Sequence, residues 1–344
     1  MYTKQRQLLP LFSFASRVGS FSCAAVKSQR YYLFKKTRLS PDSCLLRFAV
    51  PHGTALGPDS TVPTCIKVTL PAGTDVYGTG DPTSVGINKS YSPISHPAHA
   101  GSFDLVVKSY PSRPGGGVGA YICGLEVHDD DDGDATSSVS SQASSSNSIA
   151  AKLKPPRVIH NSPSVLGRWK HVGLVAGGTG IAPLFQIARI LLEASSDENT
   201  GHDTTVTTII HLLYINHCKD DVLLKDEIDR MVKKHPGRFH VTYSLTRPNL
   251  SLETQGDSTQ RASGYWEHGR GSAEMALRSL PPPAGGDEST MIFVCGSDGF
   301  VVSWGGPVGR APPLPDGSKG PKVQGPLLGW LVEAGYHASE VFKY

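Results

Sequence analysis

The sequence predicts two domains, an antiparallel β-barrel followed by an α/β domain built on a parallel sheet. Its 344 residues are enough for two domains of ordinary size. Between residues 43 and 110, short apolar runs are separated by Pro and Gly without a helical period, which is typical of antiparallel strands. From His171 onward, apolar runs alternate with segments of helical period. This alternation favours a parallel sheet with right-handed crossovers.

The N-terminal segment, residues 1–40, is basic and rich in serine, and no acidic residue precedes Asp42. This composition is typical of a transit peptide, so we expect a targeting segment that is removed or disordered in a mature mitochondrial protein. A disordered basic tail on a cytoplasmic protein, or a peripheral membrane anchor, is the alternative. No apolar run approaches the roughly 20 residues that span a bilayer, so no transmembrane segment is expected.

Residues 41–165 are predicted to form the β-barrel domain. Its strands are expected at 43–50, 65–70, 89–95 and 103–110, before a glycine-rich loop and short helix at 114–125. Residues 129–150 are acidic and then serine-rich, and they offer too little apolar surface to fold. We therefore expect a disordered insertion there. Its aspartate run lacks the Gly and Glu spacing of a calcium loop.

Residues 166–344 are predicted to form the α/β domain. Strands are expected at 171–176, 206–215, 239–245 and 290–296, and helices at 183–194, 222–235, 273–280 and 325–336. The strands are apolar along most of their length, as in a sheet that is covered on both faces.

The stretch "GGTGIAP" (177–183) joins the first parallel strand to the first helix. Ligands of open α/β sheets bind outside the carboxyl ends of the strands, and a helix start suits a phosphate. The stretch is neither a P-loop nor GxGxxG, because no Lys-Ser/Thr follows and Pro183 takes the place of the third glycine. A tight turn alone would also explain the glycines. "VCGSDG" ends another strand at the same edge, where Cys295 either lies beside a flat ligand or is a small buried side chain.

Several classes of function are disfavoured by composition. A net charge of +3 argues against a nucleic-acid partner. The six cysteines contain no CxxC pair, and His211 and His217 do not form a facing helical pair, so no metal site is expected. No GxSxG elbow is present, which argues against a hydrolase.

Several stretches, taken in order, resemble the NADH–cytochrome b5 reductases of the ferredoxin–NADP reductase superfamily. They are "KSYSPIS" (89–95), "FDLVVKSY" (103–110), "PGGGVGAYI" (114–122), "GGTGIAP" (177–183), "VCGSDGF" (294–300) and the chain end "EVFKY" (340–344). The resemblance implies an FAD-binding barrel followed by a nicotinamide-nucleotide domain. It also implies that hydride passes from NADH to FAD and that single electrons then pass to a separate acceptor.

The same resemblance implies roles for matching residues. Ser92 and Cys295 would act at the reacting rings, with Ser92 near flavin N5 and Cys295 holding the nicotinamide. The FAD site would comprise Lys89, Tyr91, Ser92, Pro93, Val107, Lys108, Tyr110, Gly117, Val118 and Gly119. The NADH site would comprise Gly178, Thr179, Gly180, Pro183, Cys295 and Gly296.

The acceptor implied by the resemblance is a small haem protein such as cytochrome b5, and the chain is expected to be a monomer. Asp220 and Asp221 after Lys219 would repel a 2′-phosphate, which favours NADH over NADPH. The sequence departs from the family pattern where Lys89 replaces arginine and where Gly117 and Gly119 replace Lys and Ser. A flavin-free binding module with this fold is therefore an alternative, as is an NAD(P)H reductase with another acceptor such as a quinone.

Overall fold

The computed structural model describes residues 28–70, 72–75, 86–110, 117–127, 147–194, 207–247, 265–313, 315 and 320–344. Within these residues the chain forms two six-stranded sheets and one two-stranded sheet. The first large sheet is wholly antiparallel and the second is wholly parallel. The predicted two-domain fold class is confirmed.

The barrel domain contains six strands and one short helix. They are β1 (Gln29–Ser40), β2 (Ser43–Ala49), β3 (Ile66–Leu70), β4 (Ile87–Tyr91), β5 (Ser102–Lys108), α1 (Gly117–Cys123) and β6 (Ser148–Leu153). The sheet order is β4-β3-β6-β1-β2-β5. Alternate side chains of the strands face a core that includes Phe48, Phe103 and Ile66, and α1 closes this core with Val118 and Ile122.

The predicted boundary of the targeting segment at residue 40 is wrong, because Gln29–Ser40 is an inner strand of the barrel sheet. Tyr31 and Leu33 face the core, whereas Lys35 and Arg38 are exposed, with a register shift between Leu33 and Lys35. Successive residues of a strand point to opposite faces, so a half-exposed basic strand has a composition like that of a transit peptide. Residues 1–27 lie outside the described residues, and targeting by them stays a prediction.

The C-terminal boundary of the predicted insertion 129–150 is also corrected. Residues 148–150 begin strand β6, which pairs with β1 on one side and β3 on the other. Ser148 and Ile149 are buried there, so the end of the serine-rich run belongs to the sheet. The remainder of the insertion, through residue 146, lies outside the described residues.

The α/β domain follows in the predicted alternation. Its elements are β7 (His171–Gly177), α2 (Ile181–Glu193), β8 (Ile209–Asn216), α3 (Lys225–Lys234), β9 (Phe239–Leu245), β10 (Tyr265–His268), α4 (Ala273–Ser279), β11 (Thr290–Cys295), α5 (Asp298–Gly305), β12 (Val308–Arg310), β13 (Lys322–Gln324), α6 (Trp330–Glu333) and β14 (Val341–Lys343). The parallel sheet has the order β10-β9-β8-β7-β11-β14.

The last helix is shorter than the sequence predicts, spanning Trp330–Glu333 instead of residues 325–336. Gly329 and Gly335, which flank it, have φ values of +73° and +91°. These left-handed conformations favour glycine and interrupt an α-helix. Upstream, β12 and β13 pair as an antiparallel hairpin, which we call the insertion hairpin.

Among the described residues, no helix combines the length and the apolar character needed to cross a membrane. In the same part of the chain, no group of three or more His, Cys, Asp or Glu side chains is arranged to hold a metal ion.

Candidate active site at the domain boundary

A cleft of about 280 Å³ lies between the two large sheets and is lined by residues of both domains. It brings together many of the residues that the sequence singled out. From the barrel domain these are Lys89, Tyr91, Ser92, Lys108 and Tyr110, and from the α/β domain they are Thr179, Gly180, Pro183, Cys295 and Gly296. Pro93, Val107, Gly117, Val118, Gly119 and Gly178 do not line the cleft.

The α/β half of the cleft lies where the order of the parallel strands reverses. Strand β7 has β8 on one side and β11 on the other, so the connections leave β7 and β11 in opposite directions. Such a reversal leaves a crevice at the carboxyl ends of the two strands, and this is the usual ligand site of open α/β sheets. The glycine loop follows β7, and Cys295 ends β11, so both predicted motifs lie at this crevice.

The two motifs are in direct contact through their backbones. A Cβ atom on Gly180 would overlap the carbonyl oxygen of Cys295, so only glycine fits there. Gly178 is different, because it has φ of +52° and a Cβ on it would meet nothing within 4 Å. The Tyr214 hydroxyl donates to the Gly178 carbonyl at 3.1 Å and holds this open turn. The space beside Gly178 therefore fits a ligand group that approaches the backbone.

The barrel half of the cleft is formed by the end of β4 and the segment after it. Among the described residues, the buried Tyr91 hydroxyl has no hydrogen-bond partner. Burial raises the pKa of Tyr91, so the hydroxyl stays protonated and can donate. The Lys89 ammonium lies 5.7 Å from the ring centroids of both Tyr91 and Tyr110. Burial lowers the pKa of Lys89. The unpaired Tyr91 hydroxyl and the Lys89 ammonium beside two aromatic rings together fit a flat, partly anionic ligand.

Lys108 joins the two domains by ion pairs. Its ammonium lies 3.0 Å from Asp42 in the barrel domain and 3.1 Å from Asp221 after strand β8. Burial acts to lower the pKa of Lys108, but the hydrogen bonds and charges of the two carboxylates outweigh it and raise the pKa. Lys108 offsets the charge of Asp221, which weakens the sequence argument that Asp221 repels a 2′-phosphate.

Cys295 lines the cleft at the end of β11. Burial raises the pKa of its thiol to about 11, although Arg157 and Lys322 act in the opposite direction. The thiol is therefore neutral at physiological pH and is not an activated nucleophile. A neutral side chain of this size suits packing against a ring, which is the role that the resemblance implies.

Helix α1 lies beside the cleft rather than in it. A Cβ on Gly119 would lie 2.5 Å from the Lys108 carbonyl oxygen, and Val118 is fully buried in the barrel core. Gly119 is thus required for the packing of α1 on β5. That Gly117, Val118 and Gly119 offer backbone donors to FAD stays a prediction.

Sequence reasoning did not assign several residues of this region to the site. Arg157, Lys322 and Tyr344 line the cleft, and the Arg157 guanidinium lies 4.5 Å from the centroid of the Tyr344 ring. Gln186 of α2 is fully buried and bonds to Thr64 and Ser95 of the barrel domain. A glutamine inside the apolar run "PLFQIARI" was the available signal for Gln186.

Comparisons with known proteins agree with this geometry. A family model described as an oxidoreductase FAD-binding domain matches residues 30–132, and one described as an oxidoreductase NAD-binding domain matches residues 174–303. The first match begins inside β1, in agreement with the corrected boundary.

Named relatives match most of the chain. NADH-cytochrome b5 reductase 1 of Aspergillus terreus is 30% identical over 277 residues, covering 79% of this chain and 74% of that protein. NADH-cytochrome b5 reductase 2 of Neosartorya fischeri is 28% identical over 308 residues, covering 89% and 74%. The cytochrome b5 reductase domain of Ulva prolifera nitrate reductase has the same fold, with a TM-score of 0.58 and 24% identity over 80% of this chain and 89% of that one. The chain therefore belongs to the NADH–cytochrome b5 reductase family, with an FAD-binding domain followed by an NAD-binding domain.

Proposed function

We propose that the protein is a reductase that transfers a hydride from NADH to FAD in the interdomain cleft and then passes single electrons to a small haem protein such as cytochrome b5. The observation that carries the proposal is that residues predicted for both cofactors meet in one cleft at the switch point of the parallel sheet. When bound, FAD supplies the hydride acceptor and the one-electron donor, which no amino-acid side chain provides.

The residues of the cleft have distinct tasks in this proposal. Tyr91 and Ser92 hold the flavin ring, and Lys89 offsets the charge of the FAD phosphates. Gly178, which adjoins the lining residue Thr179, would admit the nucleotide phosphates, while Cys295 and Gly296 would orient the nicotinamide. Orientation is the main requirement, because hydride transfer needs reacting atoms about 3–3.5 Å apart. No residue has to act as a nucleophile, which agrees with the raised pKa of Cys295.

The test begins with the colour of the purified protein. A yellow protein whose visible flavin absorbance is bleached by NADH under anaerobic conditions supports the proposal. A colourless protein that added FAD does not reconstitute would contradict it and favour the flavin-free module. Parallel titrations with NADH and NADPH decide the nucleotide, and steady-state assays with cytochrome b5 and a quinone decide the acceptor.

We also propose that the protein acts as a monomer in mitochondria. The targeting argument now rests on residues 1–27, which keep Lys4, Arg6, Arg17 and Lys27 without an acidic residue. A reporter fused to residues 1–28 should enter mitochondria, and diffuse cytosolic signal would refute this. Sedimentation of the purified protein tests the monomer.

A further inference from the structure

The insertion hairpin carries a lysine into the cleft. Strands β12 and β13 lie between α5 and α6, in the stretch 303–324 that has no assigned role. Lys322, the first residue of β13, lines the cleft together with Cys295 and Ser92. The hairpin therefore adds a positive charge to the site that the two cofactor motifs build.

The C-terminal strand fixes the position of this hairpin. The Gln324 side chain exchanges two hydrogen bonds with the backbone of Lys343, each 2.9 Å long. The Lys343 ammonium is buried and donates to the carbonyl oxygens of Gly305, Gly325 and Pro326 at 2.9–3.0 Å. These bonds attach the end of β13 to β14. Lys322, two residues before Gln324 on the same strand, is thereby held beside the cleft.

Arg157 supplies a second cation at the same place. It follows β6 in the segment that joins the domains, and its guanidinium packs on the ring of Tyr344 at 4.5 Å. Neither Arg157 nor Lys322 is among the ion pairs formed by the described residues. Burial lowers the pKa of Lys322, and repulsion by Arg157 lowers it further, while Asp298 acts in the opposite direction. Lys89 and Lys154 also line the cleft, and none of the described residues that line it has a carboxylate side chain, so Arg157 and Lys322 add to a positive charge that the lining does not balance.

The field of this pair reaches both walls of the cleft. Arg157 and Lys322 favour the thiolate of Cys295 at the end of β11, and together with Lys154 they also favour that of Cys65 beside β3. Burial opposes them at both thiols and raises both pKa values. Lys322 is exposed and Arg157 half-buried, so solvent screens part of their field, but charges at a protein surface still act on an anion more strongly than charges in bulk water.

We propose that Lys322 and Arg157 stabilise the negative charge that hydride transfer places on the flavin, and so raise the midpoint potential of the bound FAD. This inference rests on the proposed function. A hydride carries two electrons and one proton from NADH, leaving NAD⁺, so the flavin ring system gains one negative charge. The two cations act on this charge through their electrostatic field, and neither forms or breaks a bond in the reaction.

The test is a spectroelectrochemical titration of the FAD-loaded full chain and of Lys322→Met. We expect the reduced flavin to be disfavoured about tenfold, which for a two-electron couple is a fall of about 30 mV in midpoint potential. Lys322→Arg keeps the charge and should stay near the wild-type potential. The double change of Lys322 and Arg157 to Met should lower the potential further. Lys152→Met is the matched control, since it removes an exposed charge on the outside of β6.

Each outcome decides the inference. A lowered potential for Lys322→Met with an unchanged Lys152→Met supports it. Equal potentials for wild type and Lys322→Met overturn it, as does a weaker affinity for NADH with no change in potential, which would assign Lys322 to the nucleotide. Thermal unfolding of each variant shows that the fold is kept. Failure of the parent protein to bind FAD or accept electrons from NADH would refute the proposed function instead, before any variant is compared.

Discussion

Replacing Gln186 with Leu should weaken both the fold and the hydride-transfer step. The Gln186 side chain accepts a hydrogen bond from the Thr64 backbone at 2.7 Å and donates to the Thr64 hydroxyl at 2.8 Å and to the Ser95 carbonyl at 3.1 Å. All three bonds join α2 of the α/β domain to the barrel domain. Gln186→Leu keeps the volume and the helix propensity but removes every one of these bonds.

The magnitude follows from the groups that are left behind. The Thr64 N–H and the Ser95 carbonyl would stay in a buried contact without partners, and each such group costs about 1–3 kcal/mol. The Thr64 hydroxyl can rotate, so we count only these two groups. We therefore expect the free energy of unfolding to fall by about 2–6 kcal/mol, at the upper end of ordinary point mutations.

The same change should also disturb the chemistry. Thr64 precedes Cys65, and Ser95 follows the segment of Ser92, so both partners lie next to residues that line the cleft. A small displacement of one domain against the other moves the nicotinamide side relative to the flavin side. Since misplacement of about 1 Å can cost about a hundredfold in rate, we expect flavin reduction by NADH to slow at least about tenfold in the folded fraction.

Two measurements check this prediction: urea unfolding followed by tryptophan fluorescence, and anaerobic stopped-flow bleaching of the flavin. Glu193→Gln is the matched control, because it alters the same helix by removing only the i,i+4 ion pair with Arg189, worth about 0.5 kcal/mol or less. Unchanged stability and a normal bleaching rate in Gln186→Leu would show that the interdomain bonds do not fix the cleft.

Four further predictions test other parts of the molecule. Cys295→Ala should keep bound FAD but slow its reduction by NADH up to about a hundredfold in stopped-flow bleaching, with Cys295→Ser milder; a normal rate in the yellow variant would remove Cys295 from the site. Gly180→Ala should push the loop away from the Cys295 carbonyl, so that thermal unfolding occurs earlier and NADH binds more weakly in a titration. Burial, and then the charges of His240 and His171, lower the pKa of His211 from 6.5 to about 4. The free energy of unfolding should therefore be highest above pH 6.5 and should fall by about 1–2 kcal/mol, after allowance for solvent screening, as the pH falls toward 4. His211→Asn should make the free energy of unfolding less dependent on pH over that range. Deleting 129–146 should leave NADH oxidation nearly intact, whereas deleting 129–150 should unfold the barrel domain because it removes the start of β6; equal activity of the two deletions would contradict the strand assignment.

The sequence predicted those elements in which the alternation of apolar and polar residues is complete within the element. Strand β9 was expected at residues 239–245, where it is found, because Phe239, Val241, Tyr243 and Leu245 alternate with more polar residues. Strand β1 was missed because its outer face is basic, and β6 because it begins within a serine-rich run. The three-residue strands β12, β13 and β14 are too short to show a period.

The residues of the candidate site also fall into those that the sequence predicted and those that it did not. Residues that belong to local motifs, such as Tyr91 and Cys295, could be selected because each motif combines a turn with a strand end. Gln186, Arg157 and Lys322 become part of the cleft only when the domains pack and the insertion hairpin folds back. The polar Gln186 in an apolar helix run was a local signal, but no local pattern marks Arg157 or Lys322, since their neighbours in the cleft are distant in sequence.

The glycines of "GGTG" show why a motif can be found correctly and explained incompletely. The sequence left open whether these glycines serve a tight turn or the approach of a ligand. Gly180 lies against the Cys295 carbonyl, and a Cβ on Gly177 would lie 2.8 Å from the Phe300 ring, which also lies against Gly296. Gly177 and Gly180 are therefore required by the contact between the two cofactor motifs. Gly178 alone combines a left-handed backbone with open space, so it is the glycine at which a phosphate can approach.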